Sequence, residues 1–260
     1  MSGKPNRHAV QNRKEKRNKS TRCGVQKDKH KNERINKIPL LSAKTVNQKH
    51  ALQAFVDKQL ICLSGSAGCG KTTLAVWWAC KQWLEGNIDT IVLTRGEKGL
   101  GETPPVPGND TEKMMVMCLP MLLNIKKFLG VGILRNNLCM VDTDILFKDI
   151  SGFAVIPMAK LGGMSFNDRT IIIADEQQAS TPQQIKALST RAEEGCQLII
   201  TGDTTQSPLR HKENGLEYLE RVLSANPYDL VEVVKFIPED NLRRGVTSHL
   251  TRIFEQDGQW

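Results

Sequence analysis

Aromatic residues are scarce in this chain of 260 residues, at 5%. So few rings argue against an extended groove that stacks the bases of a single strand. Cysteine pairs are also missing. The seven cysteines, at positions 23, 62, 69, 80, 118, 139 and 196, are an odd number and form no C-x-x-C pair. That excludes a disulfide framework or a zinc site and points to reduced thiols in a cytoplasmic setting. No apolar run approaches the roughly 20 residues of a membrane span, so no membrane partner is expected. There is no internal repeat. Residues 1–37 almost lack large apolar side chains. They hold neither the apolar core of a secretory signal nor the amphipathic face of a mitochondrial presequence.

What that segment has is positive charge. It carries thirteen Lys/Arg against three Asp/Glu, a net of +10, whereas the whole chain is +8. The remaining residues therefore sum to about −2, and the basic character belongs to an arm on a near-neutral body. An arm so poor in apolar surface cannot offset its ordering entropy and is expected to be disordered when free. It is either a solubilising tail or an arm that binds RNA or single-stranded DNA through phosphate contacts, with little sequence specificity. Residues 38–260 are expected to form a single domain.

Past the arm, short apolar runs alternate with helical patterns. Residues 60–64, 90–94, 153–157, 170–174, 197–201 and 230–236 read as strands. Helices are expected at about 44–57, 70–85, 110–129, 182–192, 213–225 and 246–255. The middle strands are almost continuously apolar, as strands covered on both faces must be. The alternation predicts an α/β fold: a mostly parallel sheet with helices on both faces and its binding site at the carboxyl ends of the strands.

The polar clusters fall at those ends. "GSAGCGKT", residues 65–72, fits the phosphate-loop pattern G-x-x-x-x-G-K-[ST] in full. The backbone N–H groups of Gly65, Ser66, Ala67, Gly68, Cys69 and Gly70 are placed to cradle phosphate, with the helix start at Lys71, Thr72 and Thr73 adding its dipole. Lys71 is expected to reach the β- and γ-phosphates and Thr72 to ligate Mg²⁺. Asp175 closes the strand 170–174, where a carboxylate can hold the metal shell, and Glu176 beside it can act as general base toward water. "TGDTTQ", residues 201–206, puts Asp203 and Gln206 beside the γ-phosphate end. A glutamine amide there can sense both phosphate and attacking water. Gln48 offers a donor and an acceptor for adenine. No guanine-reading N-K-x-D or T-K-x-D segment occurs, so ATP is favoured over GTP. Arg95, Arg191, Arg243 and Arg244 are candidates to stabilise transition-state charge. Trp77, Trp78 and Trp83 fall at helical spacing and read as packing residues.

One stretch fits none of these patterns: "TRGEKGLGETPPVPGNDTEK", residues 94–113, polar and rich in glycine and proline. It follows a core strand, which makes an interdomain linker a poor description and a loop over the site a better one. Together with "SGSAGCGKT", "IIIADEQQAS", "LSTRAEEG" and "TGDTTQS", it resembles the PhoH-like ATPases. These are similar to the RecA-like nucleotide-binding core of superfamily 1 helicases. The resemblance spans roughly residues 44–255. Arg95, Glu97, Gly101, Pro107, Gly108 and Lys113 follow the family's loop plan. It implies that residues 65–72 bind ATP and Mg²⁺, that Asp175 and Glu176 are the Walker B pair, and that Asp203 and Gln206 sense γ-phosphate. It further implies that Gln48 reads adenine and that Arg243, after Asp240, acts on a neighbouring subunit's nucleotide. Superfamily 1 helicases place ATP between two RecA-like domains, and this chain is expected to have one. Either it forms a homo-oligomeric ring whose sites a neighbour's arginine completes, or it is not an unwinding motor. The chain departs from the family at Gly96, where Arg-Pro is usual, at Gly162-Gly163 in place of Arg-Gly, and at Ala179 in place of Asn. Two other readings stay open: a slow nucleotide-dependent adaptor that binds nucleic acid, and a small-molecule kinase.

Overall fold

The computed structural model describes residues 38–96, 110–140, 150–206 and 213–243, with isolated positions from 245 to 253. The basic arm, most of the 94–113 stretch, Arg244 and most of the helix expected at 246–255 lie outside the described residues.

Seven strands form one sheet: β1 (Leu60–Gly65), β2 (Thr90–Arg95), β3 (Leu138–Met140), β4 (Gly152–Val155), β5 (Thr170–Asp175), β6 (Gln197–Thr201) and β7 (Val231–Phe236). Their order is β3-β4-β2-β5-β6-β1-β7, and every pairing is parallel. The period of two along each strand sorts the core into two layers. Ile61, Leu63, Ile91, Leu93, Ile171, Ile173 and Ile199 face one layer. Cys62, Val92, Ile172, Ala174, Leu198 and Ile200 face the other. Burying each branched side chain among these contributes about 1.5–3 kcal/mol.

The first layer is covered by α1 (Val46–Asp57), α2 (Lys71–Glu85), α3 (Asp110–Met117) and α4 (Leu119–Leu129). The second is covered by α6 (Met158–Leu161), α7 (Pro182–Ser189) and α8 (Gly215–Ala225). A short α5 (Val131–Asn137) leads into β3. Local chemistry sets the helix ends. Thr45 caps α1 by accepting from Gln48 N. Thr181 with Gln184 and Asn214 with Glu217 form capping boxes at α7 and α8, which satisfy N–H groups that would otherwise lack partners. The single helix expected at 110–129 is two, broken at Cys118. Pro120 sits in the first turn of α4, where its missing N–H costs nothing. The helix expected at 182–192 ends at Ser189, and β3 and α5 have no counterpart in the sequence pattern.

The tryptophans pack. Trp78 stacks on Phe55 at 5.9 Å and donates to Gln197 Oε1, Trp83 meets Phe153 at 5.0 Å, and Trp77 donates to Pro39 O. Among the described residues no helix is long and apolar enough to cross a membrane.

Candidate nucleotide site

Strand order brings the motifs together. β6 lies between β1 and β5. The loop after β1, the carboxylates after β5 and the turn after β6 therefore share one edge. They line a cleft of about 520 Å³ with residues of α1 and of the segment after β7.

The loop from Gly65 to Gly70 is shaped by left-handed glycines. Gly65 has φ +117, and a Cβ there would lie 2.0 Å from Phe236 O at the end of β7. Gly68 has φ +86, and a Cβ there would lie 2.6 Å from Asn241 Oδ1 and 3.0 Å from Arg243 Nε. At Gly65 a side chain would meet the backbone, and at Gly68 it would meet two side chains in a left-handed conformation that favours glycine. Lys71 opens α2 and is buried. Its ammonium donates to Gly65 O at 2.6 Å and Ser66 O at 2.7 Å. Burial lowers its pKa, and the carboxylates of Asp203, Glu176 and Asp175 work in the opposite direction.

Thr72 Oγ1 donates to Asp175 Oδ1 at 2.9 Å, and the Thr201 hydroxyl donates to the same oxygen. A hydroxyl and a carboxylate in contact, at the foot of a phosphate loop, are the oxygen donors a Mg²⁺ site of this kind uses. Such a site keeps several waters and needs one or two protein oxygens. Among the described residues no group of three or more His, Cys, Asp or Glu could hold a metal ion. Thr73 lines the cleft, and its hydroxyl also reaches Asn124 Oδ1 of α4 at 3.5 Å.

Glu176 has φ +54, a left-handed conformation found at no other non-glycine among the described residues. It turns the chain out of β5 and into the cleft. Gly96 makes room for it. Its N–H donates to Asp175 O at 2.9 Å, and a Cβ there would stand 2.3 Å from Glu176 O. A proline could not donate that bond, so the Arg-Gly of this chain suits its own turn at Glu176. Arg95 Nη1 donates to Met117 O at 2.8 Å, and Nη2 lies 3.6 Å from Glu176 Oε1. Gln178, which follows in a short 3₁₀ turn, donates to Glu176 Oε2.

Asp203 is buried, and Gln206, on the 3₁₀ turn Thr204–Gln206, lines the cleft beside it. Gln48 also lines the cleft, yet its amide is engaged within the chain. Nε2 donates to Cys69 O at 2.9 Å, and Oε1 accepts from Lys44 N at 2.7 Å. It holds the phosphate loop to α1 and retains one N–H and one lone pair.

Arg243, which the family resemblance links to a neighbouring subunit's nucleotide, is described within a single chain. Arg243 lines the cleft of its own chain. The cause is a backbone anchor. Leu242 N donates to Gly68 O at 3.1 Å, after the turn Pro238–Asp240. Asp240 fixes that turn, accepting from Asn47 Nδ2 at 2.7 Å and Ile237 N at 2.9 Å. Burial opposes ionisation of Asp240, but hydrogen bonds from Thr45, Asn47 and Ile237 N prevail and hold its pKa below the usual carboxylate value. Arg191 lies past α7, away from the residues that line the cleft. Thr201, Gln178, Leu41, Ser42, Lys44 and Leu242 also belong to the site or its wall. Of these, Thr201 carried a signal in the sequence as a hydroxyl at a strand tip next to Gly-Asp, and Gln178 as part of the "IIIADEQQAS" motif.

Cys118 is buried close to the site. Burial pushes Cys118 up to about 12, with Asp175 adding to the rise and Arg95 opposing it.

A parallel sheet with this loop, the Thr72–Asp175 pair and the cleft defines a P-loop NTPase of RecA-like architecture. Within that class, the chain belongs to the PhoH-like proteins, whose family pattern matches residues 40–255. Protein PhoH of Escherichia coli K12 is 32% identical over 211 residues, covering 79% of this chain and 55% of that protein. The PhoH-like protein of Bacillus subtilis 168 is 27% identical over 218 residues, covering 83% and 64%. The chain thus spans roughly half to two thirds of the curated relatives it matches. Among solved structures, it is similar to the large terminase of a thermophilic bacteriophage, at 14% identity and TM-score 0.48 over 82% of this chain and 51% of that one. It is also similar to the UvsW helicase of bacteriophage T4, at 13% identity and TM-score 0.46 over 80% and 67%.

Proposed function

We propose that this chain binds ATP with Mg²⁺, hydrolyses it, and couples the cycle to RNA or single-stranded DNA. The observation that carries the reading is the pair Thr72–Asp175 with Glu176 beside it on the rim of the phosphate-loop cleft. The bound metal supplies charge that offsets the phosphates. The backbone N–H groups of residues 65–70 and Lys71 hold the β- and γ-phosphates. Glu176 takes a proton from the attacking water at a carboxylate oxygen, and Gln206 orients that water. Arg243, already in the cleft, faces the developing charge in cis. The remaining valences of Gln48 leave it able to contact adenine. The +10 arm supports a nucleic-acid partner, as does Lys113 at the exit of the 94–113 stretch. Five of the six described cysteines are buried, which suits a cytoplasmic setting.

One observation favours the slower adaptor. Both carboxylate oxygens of Glu176 are engaged, one by Gln178 and one near Arg95. A base held in this way turns over slowly until something displaces its partners. ATP turnover with and without single-stranded RNA or DNA separates the two readings. Stimulation by nucleic acid identifies a coupled ATPase, and slow unstimulated turnover identifies the adaptor. Glu176→Gln is expected to keep ATP binding and to lower kcat by about 10²–10⁴-fold. Retained hydrolysis would place the base elsewhere.

A further inference from the structure

The proposed general base and the proposed phosphate sensor follow different strands, β5 and β6. One side chain spans them. Gln178 is 4% exposed. Its Nε2 donates to Glu176 Oε2, and its Oε1 accepts from Asp203 N at 3.0 Å. The receiving turn continues directly to Gln206, whose N–H donates to Asp203 O at 3.2 Å. The space for the amide is made by Gly202. A Cβ at that glycine would lie 2.6 Å from Gln178 Oε1 and 2.7 Å from Leu216 Cδ2. A planar amide with one end on each turn transmits displacement, because its donor and acceptor are fixed on one rigid group. Asparagine is one methylene shorter and cannot reach both partners.

We propose that Gln178 is a positioning residue that couples the 202–206 turn to the Glu176 carboxylate, so that a shift of Gln206 on phosphate re-aims the base. The coupling rests on the reading of Glu176 as general base. A purely structural Gln178 would do no more than satisfy the Asp203 N–H. The two roles predict different kinetics.

The experiment is a double-mutant cycle on the full chain, with kcat and KM for ATP, fluorescent-nucleotide affinity and thermal stability measured for each protein. Gln178→Met keeps volume and removes the amide. It is expected to lower kcat by up to about 10²-fold, as misplacement of a reacting group does, with little change in KM. Gln178→Asn, which keeps an amide but is one methylene too short to bridge, is expected to lower kcat in the same direction. The double variant Gln178→Met/Gln206→Ala is expected to be no slower than the slower single variant, because groups acting as one unit are not additive. Multiplying losses in the double variant, or kcat within about twofold of the parent in both Gln178 variants, would overturn the coupling. Glu176→Gln measured alongside distinguishes the two levels of the argument. If that variant still hydrolyses ATP, the base assignment fails and the coupling fails with it. If it is inactive while the cycle is additive, the coupling alone fails.

Discussion

Asp240 is a carboxylate whose value lies in what it joins. It accepts from Asn47 and from Ile237 N, so it links the start of the domain to the segment after the last strand. Removing it leaves two part-buried donors without that acceptor, at about 1–3 kcal/mol. Asp240→Ala is therefore expected to lower stability in urea unfolding by that order. Because its folded pKa is depressed, the contribution is fully present above the ordinary carboxyl range and is lost as pH falls through the folded value. Stability measured below about pH 4 should accordingly fall less steeply in Asp240→Asn than in the parent. An identical slope would show that the titration of this group does not contribute. Gly96 is a second residue with a defined cost. Its missing Cβ is what lets the Glu176 carbonyl pass. Gly96→Ala is expected to destabilise by about 1–3 kcal/mol through overpacking and to lower kcat with it.

Elements divide by how much of their own cause is local. The core strands were legible because both faces are covered, which forces apolar runs such as "TIIIA" and "QLIIT". The three residues of β3 pair only with β4 at the sheet edge, and they carry no such pattern. The helix pattern of 110–129 is continuous in hydrophobicity, yet Cys118 leaves helical geometry and Pro120 restarts it. The motif residues were readable because a phosphate loop is local in sequence. Contacts between motifs were not. Thr201 meets Asp175 only because β6 lies next to β5, and Arg243 enters the cleft only because Leu242 bonds Gly68. Gln48 shows both limits, since the sequence placed it at the site but not its bond to Cys69 O. A prediction belongs here. Gln48→Ala loosens the loop from α1, so it should raise the Kd for nucleotide more than it lowers kcat.

At the scale of the molecule, the position of Arg243 bears on assembly. The ring expected from the sequence was tied to an arginine arriving from a neighbour. The described chain puts Arg243 on its own phosphate loop. Mixing two inactive variants, Lys71→Ala and Arg243→Ala, tests the difference. Cis action predicts no recovery of ATPase activity on mixing, and recovery would establish exchange of arginines between subunits. The arm is tested separately. Removing residues 1–37 is expected to weaken nucleic-acid binding and to flatten its salt dependence, with an unchanged slope marking a solubility tail.

The bond from Leu242 N to Gly68 O makes the stretch after β7 part of the cleft wall rather than a trailing end. A protein stopped after Phe236 would keep all seven strands and both core layers, yet would lack the turn that Asp240 fastens to α1. Such a truncation should still fold while handling nucleotide poorly. Proteolytic clipping at this one short segment would thus act as an off-switch that leaves the body of the protein intact.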